Sequence, residues 1–197
     1  MRLLLAIWLF ALLPTFSQTV PGLEPEFSDA QPGSEEWTGC WLGCSLACGL
    51  PWRVQASSSL AAQDSNRYHG ELTQDGRAET AWAEGAPGSG RGEWLECHFY
   101  GQAKSAINLS GLSIASGYQK SQSSFLDNAR PKQLELSVNG IPWARLQLAD
   151  SPKIQNFTLS GRSLRVGDRL RLTILEVYPG RKYDDCCITE FVLNGGH

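Results

Sequence analysis

Histidine is scarce in this chain: His69, His98 and His197 are the only three among 197 residues. His98 sits in an alternating segment and His197 is the last residue, so neither reads as a positioned general base. No Gly-x-Ser-x-Gly nucleophile elbow and no His-Glu-x-x-His metal motif occurs. The run 88–92, Gly-Ser-Gly-Arg-Gly, is followed by a strand pattern, whereas a dinucleotide-binding turn needs a strand before it and a helix after it. Bulk charge of one sign is also missing. A formal net charge of −3 is too small to argue for nucleic acid or acidic lipid as partner.

Long apolar runs are equally rare. Residues 3–13 form the only one, too short to span a bilayer. It follows Met1-Arg2 and precedes Thr15-Phe16-Ser17, with small residues at the −3 and −1 positions. That order predicts a signal peptide cleaved after Ser17 and export to the periplasm or beyond; an uncleaved anchor is the alternative. There is one Met, against 20 Gly and 7 Trp, which suits a sheet protein with many turns better than a helical bundle.

What the chain does contain begins with cysteine. Cys40, Cys44, Cys48, Cys97, Cys186 and Cys187 all lie beyond the expected signal. An even count in an exported chain favours disulfides. The spacing of the first three also suits a metal, but zinc sites use a second matching pair, which is missing. Adjacent Cys186 and Cys187 are expected to bond distant partners, because a vicinal bridge strains the peptide between them. Two sequons, at Asn108 and Asn156, are glycosylation acceptors or chance.

Residues 18–39 are acidic, proline-rich and free of Lys and Arg, a linker or extended arm. The cysteine triplet reads as a staple fixing that arm to a domain spanning 51–197. Within the domain, apolar residues alternate with polar ones in short segments: Leu95, Cys97 and Phe99; Leu134, Leu136 and Val138; Leu146 and Leu148; Phe157 and Leu159; Leu170, Leu172 and Ile174; and 188–193. Asn139-Gly140 marks a turn. Period two with intervening turn residues predicts antiparallel strands in a sandwich or jelly roll. Only 57–63 has helical propensity.

Three loop regions concentrate chemistry. Residues 75–94 combine glycines, Trp82, Trp94 and the carboxylates Glu79, Glu84 and Glu93. Residues 117–132 carry Tyr118, Lys120, Asn128 and Arg130; residues 177–190 carry Tyr178, Arg181, Lys182, Tyr183, Asp184 and Asp185. Aromatic faces and charged forks on loops suit recognition, while ion pairs tying loops together are the plainer alternative. A hydrolase built on Glu84, Glu93, Asp184 or Asp185 is the least favoured reading. Trp82 and Trp94 are expected to pack, leaving Tyr118, Tyr178 and Tyr183 as the better ligand contacts.

These blocks, VQASSSL, YHGELTQDGRAETAWAEGAPGSGRGEWLECHF, SGYQKSQSSFLDNARPKQLELS and LRLTILEVYPGRKYDDCCITE, resemble the discoidin or coagulation factor V/VIII type C family. The likeness covers about residues 51–193 and is closest to the glycan-binding module found beside secreted NAD glycohydrolases. It implies a galactose-binding-like jelly roll and a non-catalytic module that binds glycans or a cell-surface partner. An interaction module or accessory subunit of an exported complex is the alternative. The clustering of aromatic and charged groups on the 117–132 and 177–190 loops makes Tyr118, Lys120, Asn128, Arg130, Tyr178, Lys182, Tyr183, Asp184 and Asp185 the expected ligand residues. Many relatives hold a structural calcium, and the matching positions here are Asp75, Thr80 and Glu190. The cysteines depart from that branch, and the enzyme domain is missing, so its activity does not transfer.

Overall fold

The computed structural model describes residues 20–30 and 46–196. Twelve strands build two facing sheets: β1 (Gly22–Leu23), β2 (Glu26–Ser28), β3 (Trp52–Ala56), β4 (Trp82–Ala83), β5 (Trp94–Phe99), β6 (Ile107–Ser116), β7 (Arg130–Val138), β8 (Ile141–Gln147), β9 (Ile154–Thr158), β10 (Ser163–Leu164), β11 (Arg169–Tyr178) and β12 (Cys187–Gly196). One sheet runs β1-β8-β7-β11-β5-β3 and the other β2-β9-β6-β12-β4, with β10 beside β6. Among the described residues helix is almost absent. Among the described residues the one α-helix is α1 (Gln122–Asp127), six residues long.

Alternation does what the pattern predicts. In β5, Leu95, Cys97 and Phe99 are buried between the sheets, while Trp94 and His98 are half-exposed on the outer face. Leu134 and Leu136 of β7 and Leu170 and Leu172 of β11 fill the same layer, opposite Leu112, Ile114, Phe157, Phe191 and Leu193. Asn139 and Gly140 turn the chain between β7 and β8 with φ of 52° and 79°.

β6 is less legible, because its apolar period is broken. Leu109 and Leu112 both lie in the core, and the register against β12 slips between Gly111↔Asn194 and Leu109↔Gly195. A bulge absorbs the extra residue.

Two expectations need correction, and a choice left open between linker and arm is decided. Residues 57–63 are not helical. The hydroxyls of Ser57 and Ser58 donate to Glu93 Oε2, and Ser57 Oγ also accepts from Trp94 N at 2.8 Å. Side chains that anchor loop to strand in this way hold the backbone out of a helix. Of the two readings of residues 18–39, linker or extended arm, the described part is an extended arm: β1 pairs in parallel with β8 and β2 antiparallel with β9, so it lines one edge of each sheet. Finally, no disulfide joins the described cysteines. Cys48 is exposed and free, and Cys97, Cys186 and Cys187 are buried and free. Cys40 and Cys44 lie outside the described residues. Successive residues point to opposite sides of the chain, so Cys186 packs into the main core while Cys187 packs against Tyr68 and Tyr118. Burial pushes all three buried thiols up, and they act as small apolar side chains.

Candidate functional site

The strand ends sort the loops onto two ends of the sandwich. Residues 57–93, 117–129 and 179–186 gather at one end, where they enclose a cavity of about 320 Å³. Its walls include Asn66, Tyr68, Tyr118, Lys120, Asn128, Tyr183 and Asp185. That volume suits a small ligand.

Each wall has a local cause. Ser121, in extended conformation, caps α1 by accepting from Ser124 N at 3.0 Å. The helix stops at Asn128, which returns to extended geometry and donates from Nδ2 to Ser124 O at 2.8 Å. Gly117 has φ of +76°, and a Cβ there would lie 2.8 Å from the Phe125 ring. A side chain at Gly180 would lie 2.3 Å from Tyr183 O and 2.5 Å from Asp127 O. Only glycine therefore lets the 179–183 loop close on α1, where Arg181, Lys182 and Tyr183 donate their N–H groups to Leu126 O and Asp127 O. That closure carries Tyr183 to the mouth of the cavity, with 54% of its surface exposed.

The polar groups lining the cavity are unequal. Tyr68 and Tyr118 meet edge to face, centroids 6.4 Å apart, and Tyr118 OH donates to Glu79 O at 3.0 Å. Burial, more than the neighbouring groups, pushes both phenols up, so they keep their protons at neutral pH. Burial also raises the Asp185 carboxyl, and Asp184 adds to the shift. Lys120 Nζ donates to Asn66 Oδ1 at 3.3 Å. Donors, acceptors and one exposed ring face thus converge on one hollow.

The nine expected ligand residues divide. Tyr118, Lys120, Asn128, Tyr183 and Asp185 line the cavity. Lys182 is committed to Asp127 at 2.7 Å, and Asp184 is exposed outside the lining. Arg130 is only 5% exposed and grips Asp150 with two bonds of 2.6 and 2.7 Å. Its guanidinium lies 4.9 Å from the Phe125 ring centroid and 5.9 Å from that of Tyr178. Tyr178 ends β11 with its OH donating to Leu148 O, beside a different hollow. Arg130 and Tyr178 therefore brace the loops from behind. Tyr68, Asn66 and Asp127 were not singled out from sequence. Tyr68 adjoins the conspicuous His-Gly-Glu-Leu-Thr-Gln-Asp-Gly stretch, yet nothing local reveals that it meets Tyr118 fifty residues on.

Asp75, Thr80 and Glu190 do come together. Thr80 Oγ1 lies 2.9 and 2.8 Å from the two Asp75 oxygens, and Arg77 N donates to Asp75 Oδ1. Gly76 N donates to Glu190 Oε2 at 2.9 Å. Burial, with Asp75 adding repulsion, pushes the Glu190 carboxyl up to about 9. Two carboxyl groups and a hydroxyl around a tight turn are oxygen donors of the class a divalent cation takes, although among the described residues no three carboxylate, histidine or cysteine groups gather into a metal site.

Glu84 and Glu93 serve the fold. Glu84 is fully buried, accepting from Cys186 N at 3.2 Å and Ala86 N at 2.8 Å, out of reach of any substrate. Glu93 is held by the two serines already described. Trp82 is buried in the core, its Nε1 donating to Ser58 O at 2.8 Å. Trp94 lies on the outer face under the Arg171 guanidinium, 4.1 Å from its ring centroid.

A family model for the NAD glycohydrolase translocation F5/8 type C domain matches residues 47–194. The chain belongs to that family. No curated protein matches it. Among solved structures it is similar to the family 32 carbohydrate-binding module of Streptococcus pneumoniae EndoD, at 10% identity over 71% of this chain and 94% of that one, with a TM-score of 0.49. It is also similar to the Streptococcus pyogenes NAD+-glycohydrolase translocation domain, at 21% identity over 57% of this chain and 95% of that one, with a TM-score of 0.40. A third likeness is to the mycobacterial arabinofuranosyltransferase AftD, at 15% identity and a TM-score of 0.46 over 74% of this chain. This chain spans only 12% of that enzyme's length. Among the described residues, no helix is long and apolar enough to cross a membrane.

Proposed function

We propose that this domain is an exported, non-catalytic module that binds carbohydrate in the cavity between the 57–93, 117–129 and 179–186 loops. The observation that carries the reading is the juxtaposition of an exposed Tyr183 ring with Lys120, Asn128 and Asp185 around one hollow of about 320 Å³. An aromatic face stacks on a sugar ring while amide, ammonium and carboxylate groups bond its hydroxyls. Tyr68 and Tyr118 form the rigid floor.

A glycan array tests this. The expected result is a defined set of sugars bound by the native chain and lost in Tyr183→Ala and Lys120→Ala. A blank array, with pull-downs yielding one protein, would instead support the interaction-module reading.

Calcium at Asp75, Thr80 and Glu190 is the second part of the proposal. When bound, the ion would neutralise the two facing carboxylates. Asp75 and Thr80 hold the turn, and Glu190 ties it to β12. A ligand bound only by the native state raises the melting temperature, so a chelator that leaves the melt unchanged disposes of the metal.

A further inference from the structure

Each sheet has two edge strands, and the four edges differ in length. On one side the arm supplies both edges, β1 with two residues and β2 with three. On the other side one sheet ends in β4, two residues long, and the other in β3, five residues long. Among the described residues β3 is therefore the longest open edge. Its pairing with β5 fixes which way its backbone points. Tyr100 N donates to Pro51 O and Ser57 N to Trp94 O, both at 2.9 Å, with Arg53↔His98 and Gln55↔Glu96 in register between them. Bonded pairs alternate in an antiparallel ladder, so Arg53 and Gln55 turn their N–H and C=O groups to β5. Trp52 and Val54 turn theirs outward, where no described backbone group meets them. Gly70 closes the edge at its far end, packed so tightly on Ala56 that a Cβ there would lie 3.1 Å from the Ala56 Cβ.

The outer face beside this edge is cationic. Arg53, His98 and Arg169 are successive partners across β3, β5 and β11 and share one row. The next row holds Glu96, only 6% exposed, whose oxygens are already taken. His98 Nε2 lies 2.7 Å from Oε1, and Arg171 Nε and Nη2 each lie 2.8 Å from Oε2. Among the described residues no carboxylate pairs with Arg53 or Arg169, and both are exposed. The Arg53 guanidinium rests 5.2 Å from the Tyr100 ring centroid, which steadies its fork. One cation on an edge guards against stray pairing, but a row reaching three strands inward exceeds that need. Like charges side by side in a sheet cost stability, and an acidic neighbour relieves that cost.

We infer that the open edge of β3 accepts an extended acidic segment of a partner protein as an added strand. Its backbone would bond Trp52 and Val54, and a carboxylate on its outer face would meet Arg53. Arg169, two strands or about 10 Å further in, adds attraction at low salt. The partner is a polypeptide because only another backbone matches alternating N–H and C=O groups; a glycan or nucleic acid would use the arginines alone. This edge is independent of the sugar hollow. The test titrates the full chain with a synthetic peptide of alternating Glu and Thr, read by anisotropy and by amide exchange. Binding is expected, with slowed exchange at the Trp52 and Val54 amides. Arg53→Glu should weaken it about fivefold with the melt unchanged, and Arg169→Glu less and only at low salt. Two further peptides carry N-methyl groups on all Thr or on all Glu nitrogens and keep the charge. Alternate residues of an added strand face β3, so one of the two should bind about tenfold more weakly and the other almost normally. Equal binding of the two, or unchanged exchange at Val54, overturns the inference. So does protection of Val54 on concentrating the chain alone, with a dimer in sedimentation, which would give the edge to a second copy.

Discussion

One end of this sandwich is a hollow and the other a rim. The hollow end is acidic, aromatic and polar, and it forms only because long loops from distant parts of the chain close on one another. The rim end, with Arg162, Arg165 and Arg169 and the exposed tips Tyr100, Ile141 and Val166, is basic and apolar, and it is made of short connections between paired strands. Both rest on the same core, so the difference teaches that the sheets supply stiffness and the loop lengths supply character. Long loops can fold back into walls; short ones can only present their tips.

The expected effects at the two ends can be separated by experiment. The largest concerns Glu190, at the hollow end. Its folded pKa of about 9 lies above the ordinary value of 4.5, so the metal-free native state keeps a proton that the unfolded chain releases between those values. Stability is then full below about pH 4.5 and is lost as pH rises toward about 9. Thermal melts in chelator should fall over that range, and either calcium or Glu190→Gln should flatten the curve. Glu84 and Asp185, also raised by burial, act in the same direction. The rim, built on arginine, should show no such dependence on pH.

Next in size is Arg130→Ala. Losing its two charge-assisted hydrogen bonds to Asp150 and its contact with the Phe125 ring should cost about 3 kcal/mol by urea denaturation. The folded fraction should still bind sugar, since the arginine braces the cavity from behind. Loss of affinity without loss of stability would return Arg130 to the ligand surface. Gly180→Ala should cost about 2 kcal/mol, because its Cβ meets backbone oxygens that cannot retreat. Here affinity should fall too, since Tyr183 is carried by that loop. Tyr183→Ala should cost about 1 kcal/mol of binding energy, roughly fivefold in affinity by calorimetry, with stability unchanged. The smallest effect belongs to Lys182→Ala. Its exposed pair with Asp127 should be worth under about 0.5 kcal/mol in a melt.

Much of the frame was legible in the residues. Leu95, Cys97 and Phe99, or Leu170, Leu172 and Ile174, announce strands because the side-chain period of a strand is two and each face meets one environment. The Asn139-Gly140 turn was equally plain. β6 was less plain, because its bulge at Ser110–Gly111 breaks that period, and residues 57–63 misled, because their serines bond Glu93 and Trp94, 35 to 37 residues away. The cysteines misled for a related reason. Count and compartment speak for disulfides, but only packing shows Cys97, Cys186 and Cys187 serving as small core side chains.

By itself, then, the sequence determined the all-β sandwich, its family and the turn that gathers Asp75 and Thr80, since these depend on local periodicity and on motifs read in order. Tertiary structure decided which tyrosine faces solvent, that Arg130 is a brace, that Tyr68 meets Tyr118, and that the charges divide between two ends. Those depend on which distant segments touch, and burial and pairing are properties of the folded neighbourhood.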